Sequence, residues 1–226
     1  MSTFPSFGGF PGSPRLLKGG IVLLDPDQFT VLPNGIIILQ YNPDTLTRTL
    51  KIKGAEEGGD RSEALRLTGP PVETIKLDAE IDATDQLENP DQNPNTVQYG
   101  IFPQLAALET TVYPSSLTLQ NNYAQSQAGV LEIMPMMSPY TLFVWSAQRV
   151  VPVRITELSI TEEAFDPTLN PIRAKVSLGL RVLTIDDLYF TDKGGSLYMA
   201  YQQQKESLAR LFQGGTFGQL GITGIS

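Results

Sequence analysis

Carboxylates carry what acid–base chemistry this chain could run. The 226 residues include no cysteine and no histidine. That removes thiol nucleophiles, disulfides, Cys-zinc sites and every Ser-His-Asp arrangement. Two carboxylate pairs lie close in sequence, Asp82/Asp85 and Glu162/Glu163. A glycosidase needs two carboxylates facing a sugar about 5–10 Å apart. Neighbouring strand residues point to opposite faces, which argues against Glu162 and Glu163 sharing a substrate if a strand runs through them. Asp78, Asp82 and Asp85 are candidate calcium ligands, yet they do not match the spaced Asp/Asn/Gly/Glu loop of a calcium hand. The N-terminal glycines are followed by neither GK[ST] nor GxGxxG after a strand. No catalytic, cofactor-binding or metal-ligating residue is assigned, and the chain is expected not to be an enzyme.

The elements that would position such residues are strands. From Thr74 to Ala83, Ile75, Leu77, Ala79, Ile81 and Ala83 point one way, and Lys76, Asp78, Glu80 and Asp82 point the other. From Ile172 to Leu183, Ala174, Val176, Leu178, Leu180 and Val182 form one face, opposite Arg173, Lys175, Ser177 and Arg181. The polar faces have opposite sign. They suit cross-strand pairs, a subunit interface in which charge fixes register, or an ordinary solvated sheet face.

Between these segments Thr141–Ser146 reads as a buried strand. Val151, Val153 and Ile155 are apolar at odd positions, and Leu158 and Ile160 at even ones. The change of phase predicts a β-bulge near Thr156-Glu157. Ile21–Leu24 and Ile36–Leu39 are short apolar runs, separated by the turn sequences Asp25-Pro26-Asp27 and Leu32-Pro33-Asn34-Gly35. Thr47–Lys53 alternates as a further strand, and Gly54–Ser62 reads as a polar loop.

Helical spacing occurs twice. Ile101, Leu105, Leu108 and Val112 predict one short helix packed on the sheet, with Pro103 in its first turn and Pro114 ending it. Leu197, Tyr201, Leu208 and Phe212 predict a C-terminal helix capped by Ser196. Ser115–Ser138, with Met134, Met136 and Met137, reads as an extended loop or insertion. Three units result: a flexible arm over 1–15, a β domain over 16–190, and a helix with a glycine-rich tail over 191–226. The fold class is mainly β, a barrel or sandwich of long antiparallel strands with one short packed helix and a C-terminal helical extension.

The net charge of −8 disfavours attraction to nucleic acid phosphates. No apolar run approaches the roughly 20 residues of a membrane-spanning helix, and the N-terminus lacks a signal-peptide pattern. A soluble protein made in the cytoplasm is expected.

Several segments resemble one family. They are Tyr41-Asn42-Pro43, Gly69-Pro70-Pro71, Glu73-Thr74-Ile75, Asp82-Ala83-Thr84-Asp85, GIFPQLAALETTVYP, TLFVW, PVRIT, EEAFDPTLNPIRAKVSL and LRVLT. Together they resemble the tube-type baseplate adaptors of bacterial contractile injection systems, which are phage-tail-like particles, over about residues 16–190. The resemblance implies a tail-tube-like β-barrel and a structural subunit, in a hexameric ring, that joins the spike hub to the inner tube with no catalytic role and no cofactor. It also implies partners among spike hub, inner-tube and baseplate proteins, and assembly in the bacterial cytoplasm into a particle that is released or membrane-tethered. Many relatives continue into a LysM module, whereas here residues 191–226 follow instead.

The candidate interface residues are Lys76, Asp78, Glu80, Asp82, Arg173, Lys175 and Arg181 for ring contacts, and Leu197, Tyr201, Leu208 and Phe212 for docking. Two alternatives stand beside the adaptor reading: a bulk inner-tube subunit of the same particle, and a carbohydrate-binding β protein. The second needs exposed aromatics over a groove, and Trp145, in an apolar strand, is expected in the core.

Overall fold

The computed structural model describes residues 16–54, 66–129 and 138–225. The expected N-terminal arm, most of the 54–62 loop and the three clustered methionines lie outside the described residues. The strands are β1 (Gly20–Leu24), β2 (Val31–Ile38), β3 (Leu46–Lys51), β4 (Val72–Asp82), β5 (Tyr140–Ser146), β6 (Arg149–Phe165) and β7 (Pro171–Val182). They form one sheet in the order β2-β1-β5-β6-β7-β4-β3, antiparallel throughout. The mainly-β expectation holds.

The alternating segments form the centre of this sheet. β6 and β7 span 17 and 12 residues and meet at the Asp166–Asn170 corner. There the Asp166 carboxylate accepts the backbone N–H groups of Thr168 at 2.7 Å and Asn170 at 2.9 Å, together with both their side chains. Leu169 takes a left-handed φ of 67°. The predicted faces of β4 and β7 are the buried ones: Ile75, Leu77, Ala79, Ile81, Ala174, Val176, Leu178, Leu180 and Val182 all lie in the core. The predicted bulge is present. The β6–β7 register slips between Ile155 and Glu157, and the Thr156 hydroxyl donates to the Gly179 carbonyl at 3.1 Å. This extra residue keeps Ile155, Leu158 and Ile160 packed against the core although their parity changes.

The Leu32–Gly35 turn is displaced from its expected role. It lies inside β2, where Asn34 has a φ of 55° and pairing jumps from Val22↔Ile36 to Leu24↔Val31. The chain reverses instead at Asp25–Phe29, where the Asp25 carboxylate accepts the N–H groups of Asp27 and Gln28. Pro33 is tolerated because β2 is an edge strand, where a missing N–H breaks no second ladder.

Barrel closure is corrected. β2 and β3 are the two edges of the sheet, and no ladder joins them. Side chains bridge the gap in two places. Beyond β2, the Gln40 carboxamide donates to the Asp82 carbonyl at 2.6 Å and accepts the Asp82 N–H at 2.9 Å, replacing one rung of a ladder at the end of β4. The second bridge is the C-terminal helix.

That helix, α5, runs over Lys193–Ala209, with Asp192 rather than Ser196 at its N-cap. Gly194 and Gly195 bring its first turn tightly against the Tyr140 ring and the Tyr189 backbone. This contact fixes which side faces inward. Tyr198 and Tyr201 enter the core, and the latter reaches Arg48 on β3 and Glu73 on β4.

A helical layer follows β4: α1 (Thr84–Leu87), a 3-10 turn at Pro90–Gln92, α2 (Pro94–Tyr99) and α3 (Phe102–Glu109). The predicted helix is α3; α1 and α2, before Gly100, are additional. Ile101, Leu105 and Leu108 are buried as expected, but α3 ends at Glu109 and leaves Val112 exposed. Gly100 adopts φ 58°, and the next N–H, that of Ile101, donates to the Pro171 carbonyl at 2.8 Å. A Cβ on Gly100 would collide with that carbonyl. The expected loop after Ser115 is also corrected. Ser116–Gln127 forms a helix, α4, capped by the Ser115 hydroxyl at 3.1 Å from the Thr118 N–H. None of its residues is buried. With no core to face, its sequence carries no apolar period to read.

Candidate functional site

The charged candidates occupy the outer face of β4, β7 and β6, and the register of the sheet explains why they meet. Lys76 stands opposite Gly179, Asp78 opposite Ser177, Glu80 opposite Lys175 and Asp82 opposite Arg173. The opposed acidic and basic faces are thus cross-strand neighbours within one chain. Arg173 reaches Asp82 at 2.7 Å and Glu80 at 3.7 Å. Lys175 pairs with Glu163 on β6 at 2.8 Å, Lys76 with Glu157 at 3.3 Å, and the Ser177 hydroxyl donates to Asp78 at 2.6 Å. Arg181 pairs with Asp187 beyond β7 at 2.6 Å. Solvent-facing pairs of this kind contribute about 0–1 kcal/mol each. Their clearer effect is to fix the pattern of sign on the face.

Asp82 is the member held most firmly. Burial pushes its carboxyl up, but the hydroxyl and N–H of Thr84 and the Arg173 guanidinium outweigh this and hold it below the ordinary carboxylate range. The carboxylate pairs weighed for chemistry are placed as follows. Asp85 lies in the first turn of α1, with the Tyr41 hydroxyl 3.5 Å from it. Glu163 is engaged by Lys175, and Glu162 stands opposite Ala174. Among the described residues no group of three metal-ligating side chains is brought together.

The docking candidates on the C-terminal helix divide. Tyr201 is buried and Leu197 half-buried, while Leu208 and Phe212 are exposed. The buried residues of the helix are Gly194, Gly195, Tyr198 and Tyr201, so the expected stripe holds at Tyr201 and fails at Leu208 and Phe212. Sequence reading missed Tyr198, Glu73 and Arg48. Glu73 is 3% exposed, and Arg48 donates to it at 2.6 Å. The Tyr201 hydroxyl lies 3.3 Å from the same carboxylate oxygen and accepts from Arg48 at 3.0 Å. An acidic residue at an apolar parity position of β4 was the available signal.

Beside this knot a cleft of about 250 Å³ opens between α5 and the β5–β6 hairpin, lined by Arg48, Trp145, Arg149, Tyr201, Lys205 and Leu208 among others. Trp145 stacks on Phe143 at 6.1 Å between ring centroids and is packed against the core on one side only.

The two sheet edges share a property. On β2, Val31, Ile36 and Ile38 are 50%, 60% and 61% exposed, and at β3 Leu50 and Ile52 are 47% and 72% exposed. Each edge therefore couples unpaired backbone groups with outward apolar side chains. Among the described residues no helix is long and apolar enough to cross a membrane.

No family model and no curated protein matches the chain. A solved structure described as "Tail of empty GTA particle computed with helical refinement, C6 symmetry" aligns at a TM-score of 0.28 and 10% identity, over 73% of this chain and 90% of that one. At that TM-score the alignment carries no argument about this chain.

Proposed function

We propose that this chain is a structural ring subunit of a bacterial contractile injection particle, acting as the baseplate adaptor that joins the spike hub to the inner tube. The sequence resemblance over 16–190 supports the particle. The observation that carries the ring is the open sheet with two apolar edges. An exposed edge strand bearing Ile36 and Ile38 is an aggregation hazard in a free monomer. Pairing β2 of one copy with β3 of the next removes both edges. That contact is heterologous, one patch meeting a different patch, and closes into a ring when its rotation divides the circle. Six copies are expected, with the charge ladder fixing register between copies or against the next layer. In this reading the protein assembles in the cytoplasm, binds no nucleic acid, inserts in no membrane and turns over no substrate.

The test is assembly of the Ile36→Lys/Ile38→Lys variant. Both side chains are exposed, so the monomer should fold with an unchanged thermal midpoint, while rings in solution and incorporation into particles are lost. Normal incorporation of the folded variant would overturn the ring reading. The same edges serve a bulk inner-tube subunit equally well, and copy number separates the two. A handful of copies per particle supports the adaptor, and many stacked rings support the tube.

A further inference from the structure

Most cations of this chain are either exposed or paired. Arg48, Lys53 and Arg181 are half-buried, and each meets a carboxylate at 2.6 Å. Among the described residues two half-buried cations have neither an ion pair nor a side-chain hydrogen bond, Arg149 and Lys205, and both line the cleft between α5 and the β5–β6 hairpin. The Lys205 ammonium lies over the Tyr201 ring at 4.3 Å from its centroid. Burial pushes it below its ordinary value, Arg48 adds to the drop, and Glu73 and the neighbouring Glu206 pull it part of the way back. The Gln204 amide donates to the Gln148 side chain at the hairpin turn, which ties the helix to the opposite wall.

Desolvating a cation that makes no ion pair is unfavourable, and two such cations facing one opening are more so. An incoming anion relieves both. Carboxylate fits better than a phosphate dianion, because the buried Glu73 charge stands directly behind Arg48 and Tyr201 and repels a second negative charge. Besides the polar Ser146 and Gln148, the Trp145 indole and Leu208 line the cleft with apolar surface, which suits a side chain next to the acidic one. The spot is locally positive on a chain of net charge −8, so it selects an acidic partner by complementarity.

We propose that this cleft is a socket for an acidic peptide segment of a partner chain, in which Arg149 and Lys205 grip a carboxylate and Trp145 with Leu208 hold the apolar residue beside it. The socket opens between α5 and the β5–β6 hairpin, with Arg48 of β3 in its wall, and its test reads peptide binding by the isolated chain rather than ring closure.

Trp145 is the only tryptophan of the chain, so its fluorescence reports the site alone. The experiment titrates the full chain with an end-blocked Gly-Glu-Leu-Glu-Gly peptide, with its Gly-Lys-Leu-Lys-Gly counterpart and with inorganic phosphate. The expected result is a saturable change with the acidic peptide only. Affinity should fall tenfold or more in Arg149→Gln/Lys205→Gln, and stay within about threefold in Arg149→Lys, which keeps the charge. Thermal melting checks that each variant is folded, and single Arg149→Gln serves if the double variant is not. Absence of a saturable change, equal binding of the lysine peptide, or an undiminished signal in the folded glutamine variant overturns the socket. Saturation by phosphate at the same concentration as by peptide overturns the peptide assignment.

Discussion

Replacing Arg48 by methionine strands the Glu73 carboxylate. In the native chain that group is 3% exposed and is held by the Arg48 Nε at 2.6 Å, with the Tyr201 hydroxyl at 3.3 Å from the same oxygen. Removing one partner of a buried ion pair costs about 3–5 kcal/mol, chiefly because the other charge remains buried. The Arg48 side chain is 27% exposed and Tyr201 stays as a donor, so water and one hydrogen bond soften the loss. Destabilisation of about 2–3 kcal/mol is expected. At about 2–4 °C per kcal/mol for a chain of this size, the thermal midpoint should drop by about 4–12 °C. Adding Glu73→Gln to Arg48→Met removes the stranded charge and should recover at least half the loss, a coupling that a double-mutant cycle in urea reads directly. If Arg48→Met lies within about 0.5 kcal/mol of the parent, or if the double variant equals the sum of the singles, the knot does not join α5 to β3 and β4 as described.

Three further outcomes follow from the same geometry. Gly100→Ala must place a Cβ against the Pro171 carbonyl at a left-handed φ, and should destabilise by more than about 1 kcal/mol, measured by chemical denaturation. Gln40→Ala leaves the Asp82 N–H and carbonyl without partners across the gap in the sheet, and should cost about 1–3 kcal/mol and speed hydrogen exchange at the Asp82 amide. Stability should fall on acidification through two carboxylates. Asp82 sits below its ordinary 3.8, and Asp166, held by Asn170 and Thr168, at about 2. Depressed native values mean that the contribution is complete above the unfolded value and is lost as pH falls from about 4 toward 2. Carboxyl titration by NMR checks this, and an ordinary midpoint for Asp166 would contradict the account of the β6–β7 corner.

What could be read from the sequence was whatever a period of two records. β4, β7 and the bulge near Thr156 all follow from alternation. Elements not positioned by an apolar face were hidden. The sequence of α4 has no buried residue and hence no stripe to detect. On α5 the apolar count found Tyr201 but missed Tyr198, because Gly194 and Gly195, which carry no hydrophobic signal, set the inward face by close approach. Pro33-Asn34-Gly35 has the chemistry of a reversing turn, yet an edge strand uses the same residues as a bulge. Lys76, Asp78, Glu80, Arg173 and Lys175 are exposed as expected, whereas Asp82 is buried and Arg181 half-buried. Their pairing within one chain needed the register β4↔β7, which alternation alone does not supply.

The ring is tested most directly by cross-linking its edges. The natural chain has no cysteine, so a variant carrying Ile36→Cys on β2 and Leu50→Cys on β3 has only the two introduced thiols. If β2 of one copy lies beside β3 of the next, mild oxidation should give a ladder of covalent multimers ending at six. A protein that remains monomeric on a denaturing gel after oxidation, while the parent still enters particles, would contradict the proposed edge-to-edge ring.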